Sequence, residues 1–504
     1  MHRIMAKQIT IEELEDYLWG AATHLRGQID ASAYKDYIFP LVFFKRISDV
    51  WDEEYEQYKE QGGEGYAKQM MEDSTIKIPE GAHWNDVFNT TENIGQKLLE
   101  VFRMIEHANP AKDIDGRIVG GLESIFGEKT IWTNKNKMPD SIIRNLLNNF
   151  NKRTLSLEAC PADEMGIGYE FLIGKFADDA GHTAQEFYTN RTVVELMAEI
   201  LQLKPHESIY DPTCGSGGML IKSLTYLKEK GEEWRDVKVY GQEINPITSS
   251  IARMNLYLHG IQDFSIITAN TLEEPAFIEN GRVRQFDVVL ANPPYSISTW
   301  NREKFAHDKY GRCFLGVPPQ DCADYAFIQH ILASLDDKTG RCAMLLPHGI
   351  LFRNYEQKIR ENLVKSDLIE CIIGIGPNLF YNSPMEACIV ICNKNKSKEL
   401  VGKVLFINAV KEITRKNGES FLEANHISKI SKAFHERSNI DSFSRVVSDD
   451  EIVKYNYDLS IQKYVYINDN YDSLDLSTND YLECWQKQHD VSREEVTLLM
   501  GLLK

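Results

Sequence analysis

Asn292-Pro293-Pro294-Tyr295 follows the apolar run Val288-Val289-Leu290 after a single alanine, and its residue types suit the handling of an amine. Two consecutive prolines make a stiff, non-helical turn. The Asn292 side-chain oxygen and the Pro293 carbonyl can accept the two N–H hydrogens of one amino group. An exocyclic amine conjugated to an aromatic ring is a poor nucleophile, because its lone pair is delocalised. Accepting both hydrogens draws the nitrogen towards tetrahedral geometry and frees that lone pair to attack a sulfonium methyl. Tyr295 offers a flat face against which an extruded base can stack. No metal is required, because the sulfonium is already an excellent leaving group; positioning and hydrogen bonding carry such a reaction. A Pro-Pro turn can also be no more than a rigid loop. The flanking Asn and Tyr, at a strand's C-terminal edge, favour the chemical reading.

A second set lies upstream. Asp211-Pro212-Thr213-Cys214-Gly215-Ser216-Gly217-Gly218 follows a strand-like run and opens a helix-like one. Glycines there let the backbone approach a ligand, while a helix N-terminus presents free N–H groups. At the end of the next strand-like run stands Glu243, placed to accept hydrogen bonds from both hydroxyls of a ribose. Together they indicate a nucleoside-containing cofactor, NAD among the possibilities. No G-x-x-x-x-G-K-[ST] occurs, so a nucleoside-triphosphate loop is not supported.

The elements that must hold these residues are legible in outline. Apolar runs at 208–210, 237–240, 286–290 and 341–346 read as buried strands, and 218–230, 246–259 and 323–336 read as helices. Their alternation implies βαβ units and a parallel sheet, which the runs 369–375 and 387–392 could complete, so that the sheet ends near 400. Residues 11–60 carry apolar positions at helical spacing until Gly62, Gly63 and Gly65 interrupt them, and 92–106 and 140–150 suggest further helices. The organisation expected is a helical domain over 1–150, a catalytic α/β domain over 151–440 and a tail over 441–504. The tail ends in a helix at 481–504 whose apolar stripe must pack on its own domain or on a partner.

Composition narrows the class. The 504 residues carry a net charge of −19, although proteins that grip DNA unaided usually show a basic footprint. Nine cysteines without a C-x-x-C pair suggest buried free thiols and no structural zinc. No stretch approaches the roughly 18–20 apolar residues of a membrane span, so a cytoplasmic, soluble protein is expected.

With these residues in hand, the chain resembles the modification subunits of type I restriction–modification systems. The resemblance runs through Leu25-Arg26-Gly27, Phe44-Lys45-Arg46-Ile47-Ser48-Asp49, Tyr169-Glu170-Phe171-Leu172, Glu186-Phe187-Tyr188-Thr189 and the glycine loop. It continues through Met254 to Gly260, Ala291 to Tyr295, Leu346-Pro347-His348-Gly349 and Asn378-Leu379-Phe380-Tyr381. It implies a Rossmann-like S-adenosylmethionine-dependent methyltransferase domain after an all-helical N-terminal domain, and methylation of adenine N6 in double-stranded DNA. It also implies that Glu186, Phe187, Tyr188, Thr189, Asn190 and Arg191 close over the methionine end of the cofactor. Asp211, Thr213, Gly215, Ser216, Gly217, Gly218 and Glu243 then belong to the same site, with Asn270 near the adenine. Asn292, Pro293, Pro294 and Tyr295 are the catalytic set.

Two departures stand out: Asn190 replaces a usual proline, and Ala269-Asn270 replaces a usual Gly-Asp. Asn190 should loosen a turn that proline would pre-set, and Asn270 loses a charge, so weaker cofactor binding is expected. About 100 residues after the sheet leave little room for a base-reading domain. The −19 charge and that shortage agree with recognition by a separate specificity subunit. The resemblance implies two modification subunits per specificity subunit, joined by a restriction subunit for cleavage. A protein glutamine methyltransferase, a solitary DNA methyltransferase and a non-catalytic clamping scaffold are the competing readings.

Overall fold

The computed structural model describes residues 8–466 apart from 73, 75, 111–120, 128–129, 180–188, 378, 380–386 and 417–418. Glu186, Phe187, Tyr188, Asn378, Phe380, Tyr381 and the expected helix at 481–504 therefore lie outside the described residues.

The N-terminal part is helical because its apolar residues recur on one face. Helices α1 (Ile11–Gly20), α2 (Tyr34–Met71), α3 (Ile94–Ala108) and α4 (Asp140–Phe150) contribute Leu14, Leu18, Ile38, Phe43, Phe44, Leu98, Phe102, Ile143 and Leu147 to one apolar cluster. A Thr10–Glu13 capping box starts α1 by satisfying N–H groups the helix cannot pair itself. The glycines after residue 60 interrupt α2 as expected: the helix breaks at Gly63 (φ 82°), and a second helical stretch runs on to Met71. The run Phe44–Asp49 has a structural use. Buried Arg46 donates to the carbonyls of Leu155, Ser156 and Cys160, while Asp49 and Glu53 accept backbone N–H groups of Leu155, Leu157 and Glu158. The middle of α2 thus grips the segment that leads into α5 (Ala162–Asp179). Tyr169 and Leu172 of α5 join the same cluster, as do Met254 and Leu258 of α8 (Pro246–Leu258).

The α/β part holds a nine-stranded sheet. Its strands are β1 (Ser208–Asp211), β2 (Lys238–Glu243), β3 (Phe264–Thr268), β4 (Val288–Ala291), β5 (Arg341–Pro347), β6 (Ile369–Ile375), β7 (Ala387–Asn393), β8 (Lys403–Ala409) and β9 (Ser444–Ser448). They lie in the order β9-β8-β6-β7-β5-β4-β1-β2-β3. Side chains alternate between faces: Ile209 and Leu290 enter one apolar layer, Tyr210 and Val289 the other. Helices α6 (Arg191–Leu201), α7 (Gly218–Glu229), α8 and α11 (Ala424–Glu436) cover the first face. Helices α9 (Asp324–Ala333) and α10 (Gln357–Lys365) cover the second.

Two features differ from the sequence expectation. The sheet is mixed, because β7 runs antiparallel between β5 and β6, a short return from β6 that needs no crossover helix. It also continues past residue 400 through β8, parallel to β6, and an antiparallel edge strand β9.

Among the described residues no helix is long and apolar enough to cross a membrane, and no cluster of His, Cys, Asp or Glu could hold a metal ion.

Candidate active site

Strands β3, β2, β1, β4 and β5 are parallel, so the loops after them emerge at one edge of the sheet. Chain order runs outward in one direction through β1-β2-β3 and in the other through β4-β5. The crevice between β1 and β4 is therefore the switch point where such sheets bind ligands. The glycine loop follows β1, and the tetrapeptide follows β4.

The loop's conformation explains its glycines. Gly215 and Gly217 stand at φ 54° and 80°, left-handed values that a Cβ disfavours. Glu243 fixes the loop from the next strand, its carboxylate accepting N–H groups of Gly215 (3.0 Å) and Asn245 (2.8 Å). Asn255, fully buried on α8, donates to the Ser216 carbonyl at 3.0 Å.

The tetrapeptide is held as tightly. Asn292 Nδ2 donates to Thr189 Oγ1 at 3.0 Å, and the Tyr295 hydroxyl donates to Asn292 Oδ1 at 2.7 Å. These two bonds set the amide so that Oδ1, with a second lone pair, remains an acceptor. Burial pushes the Tyr295 hydroxyl pKa well above its ordinary value, which keeps it a donor.

A cavity of about 600 Å³ brings the pieces together. Thr189, Arg191, Asp211, Thr213, Gly215, Ser216, Gly218 and Asn292 line it, as do Ile167 and Glu170 of α5 and Asn255 and His259 from α8 and its end. Glu243, Gly217, Asn270 and the remainder of the tetrapeptide are not part of that lining. Asn270 instead caps a turn, its Oδ1 accepting from Leu272 (3.1 Å) and Glu273 (3.3 Å). Asn190 does not loosen its turn. At φ −54°, close to the value proline would impose, it is the N-cap of α6. Its Oδ1 accepts from both Thr192 N and Thr192 Oγ1, and its Nδ2 donates to the Ser420 carbonyl.

Several residues escaped sequence reasoning. Glu170 accepts from Arg191 at 3.0 Å and faces His259 at 4.0 Å. Ile244, directly after Glu243, leaves 63% of its surface exposed, an apolar platform at a strand end. Asn255 offered one signal: an amide in the apolar run around Met254. Arg312, buried beside Thr271 and Leu272, offered none.

Comparison with known proteins places the chain in a family. The model of the N-6 DNA Methylase family matches residues 161–473, and that of the HsdM N-terminal domain matches 14–150. The chain belongs to the N-6 DNA methylase family. It is 31% identical to the type I restriction enzyme MjaVII methylase subunit of Methanocaldococcus jannaschii, over 99% of this chain and 86% of the relative. It is 29% identical to the MpnII methylase subunit of Mycoplasma pneumoniae, over 95% and 94%. A solved type I restriction–modification methyltransferase subunit from Streptococcus thermophilus is 29% identical, with a TM-score of 0.76 over 91% of this chain and all of that one. Family membership bears out the resemblance, and with it the S-adenosylmethionine-dependent methyltransferase fold behind a helical N-terminal region.

Proposed function

We propose that this chain transfers a methyl group from S-adenosylmethionine to N6 of adenine in double-stranded DNA, at sites chosen by a separate specificity subunit. The observation that carries the reading is the shared cavity: Asn292 opens onto the same space as the glycine loop. The residues present fit such a cofactor. Asn255 Oδ1, in a lining residue, is buried without a hydrogen-bond partner, and the wall carries both acidic side chains (Glu170, Asp211) and basic ones (Arg191, Lys222), as a zwitterion requires. At the end of β2, Glu243 would accept the ribose hydroxyls and the exposed Ile244 would cover a flat adenine ring.

The cofactor supplies an electrophilic sulfonium methyl. Asn292 Oδ1 and the Pro293 carbonyl accept the hydrogens of the substrate amine and concentrate its lone pair on nitrogen. Tyr295 and Thr189 hold Asn292 in the orientation this needs, so little reorganisation accompanies the reaction.

Asp211 makes cofactor binding depend on pH. Burial pushes its carboxyl up to about 7, with Glu243 adding to the rise and the Thr213 N–H opposing it. A positively charged ligand nearby favours the ionised form, so below that value binding must expel a proton. Affinity should therefore be full above about pH 7 and weaken by up to about tenfold per unit as pH falls to 6. Calorimetry between pH 6 and 7.5, in buffers of different ionisation heat, measures both slope and proton release. A flat profile, or one unchanged in Asp211→Asn, would refute the assignment.

The function itself is tested by expressing the chain with and without a specificity subunit and mapping methylated bases by single-molecule sequencing. Methylated adenines at one defined sequence are expected only with the partner. Methylation without it would overturn the subunit reading; DNA binding without methylation in its presence would point to a scaffold.

A further inference from the structure

Behind the tetrapeptide lies a polar cluster that the reaction as written does not use. Ser296, the residue after Tyr295, is held at φ 51°, a conformation side chains other than glycine seldom adopt. Its N–H donates to Asp324 Oδ1 at 2.7 Å, and its hydroxyl accepts from Arg353 Nη2 at 3.2 Å. Arg353 Nη1 also donates to Asp324 Oδ2 at 2.8 Å and lies 3.6 Å from the Glu356 carboxylate. Asp324 and Glu356 are fully buried. The guanidinium crosses Gly349, where a Cβ would stand 2.6 Å from Nε, so the glycine of the run Leu346–Gly349 makes room for it. Burying these charges carries a desolvation cost that their mutual bonds must offset.

We propose that Asp324 and Arg353 are positioning residues for methyl transfer. They hold Ser296 in its left-handed conformation and thereby aim Tyr295, whose hydroxyl in turn orients the Asn292 amide. The inference rests on the catalytic reading of Asn292–Tyr295. A planar, two-pronged guanidinium suits the task because it bridges the Asp324 carboxylate and the Ser296 hydroxyl together, which an ammonium cannot do in the same geometry.

Asp324→Asn and Arg353→Lys test this in the complex with a specificity subunit on its target duplex. Misplacing a reacting group by about 1 Å can cost about 10²-fold, so kcat should fall by that order while KM for DNA stays within about threefold. Calorimetry on the variants should give a cofactor Kd within about twofold of the parent. Ser296→Gly, added to Asp324→Asn, accepts the same backbone conformation without restraint and should restore about tenfold in kcat. Parental kcat in both variants would overturn the proposal. So would a parallel loss of cofactor affinity and kcat, or the absence of rescue, since those mark a merely structural cluster. If Arg353→Lys does not fold, the isosteric Asp324→Asn decides alone. Asn292→Ala in the same complex separates the two ideas. Methylation surviving there removes the catalytic reading; its loss, with kcat intact in both cluster variants, removes only the positioning role.

Discussion

Asn292→Ala is expected to lower kcat for methyl transfer by on the order of 10³-fold or more while leaving the cofactor Kd nearly unchanged. The substitution removes the Oδ1 acceptor and leaves Thr189 and the Tyr295 hydroxyl without the partners they hold at 3.0 and 2.7 Å. It removes nothing from the glycine loop, which Glu243 and Asn255 fix independently. Tyr295→Phe, which keeps the ring and deletes the hydroxyl, should cost on the order of 10²-fold, because the Asn292 amide is then held by Thr189 alone. Single-turnover methylation of a target duplex, with calorimetry alongside, distinguishes these outcomes. An Asn292→Ala enzyme that methylates at the parental rate would refute the role given to the tetrapeptide.

Arg312→Ala should be the more damaging change for stability, at about 3–5 kcal/mol in urea unfolding. The guanidinium is 1% exposed. It donates to the carbonyls of Thr271 and Leu272, both at 2.8 Å, and to Asp308 Oδ1 at 2.7 Å. It also faces His330 Nδ1 at 3.2 Å, where burial, then the Arg312 charge, lowers the imidazole pKa well below its ordinary value. Alanine would strand a buried carboxylate and two carbonyls. Removing charge from both partners, as in Asp308→Asn with Arg312→Met, should cost about half as much, because no unpaired ion remains. A loss below about 1 kcal/mol for Arg312→Ala would show that the cluster contributes little. Thr271 Oγ1 bonds the Pro212 carbonyl at 2.5 Å, so loosening this cluster should also reach the glycine loop.

The strands that carry the site were legible because each is a short apolar run buried on both faces and bounded by polar residues. Their direction was not: the run at 387–392 reads the same whether it pairs parallel or antiparallel, and only the return from β6 decides it. Strand β9, with Ser444 and Val447 buried and Arg445 and Ser448 exposed, alternates too briefly to stand out. The tetrapeptide and glycine loop were legible as local motifs, since their chemistry is written in consecutive residues. Glu170, Asp324 and Arg353 were not, because each acquires its partner from a distant part of the chain. Asn190 shows the opposite error. Set against the usual proline it read as a loss, whereas its side chain makes bonds that proline could not.

Helix α5 has a consequence for modularity. It lies after the expected boundary at residue 150, yet Tyr169 and Leu172 belong to the apolar cluster of the N-terminal helices. On its other side Ile167 and Glu170 wall the cavity that holds Asn292 and the glycine loop. A chimera that exchanged the first 150 residues with those of a relative would place a foreign surface against one side of this helix. Any mismatch there would be transmitted through a single rigid rod to the cavity wall on the other. The two regions can be told apart along the chain, but they cannot be inherited independently.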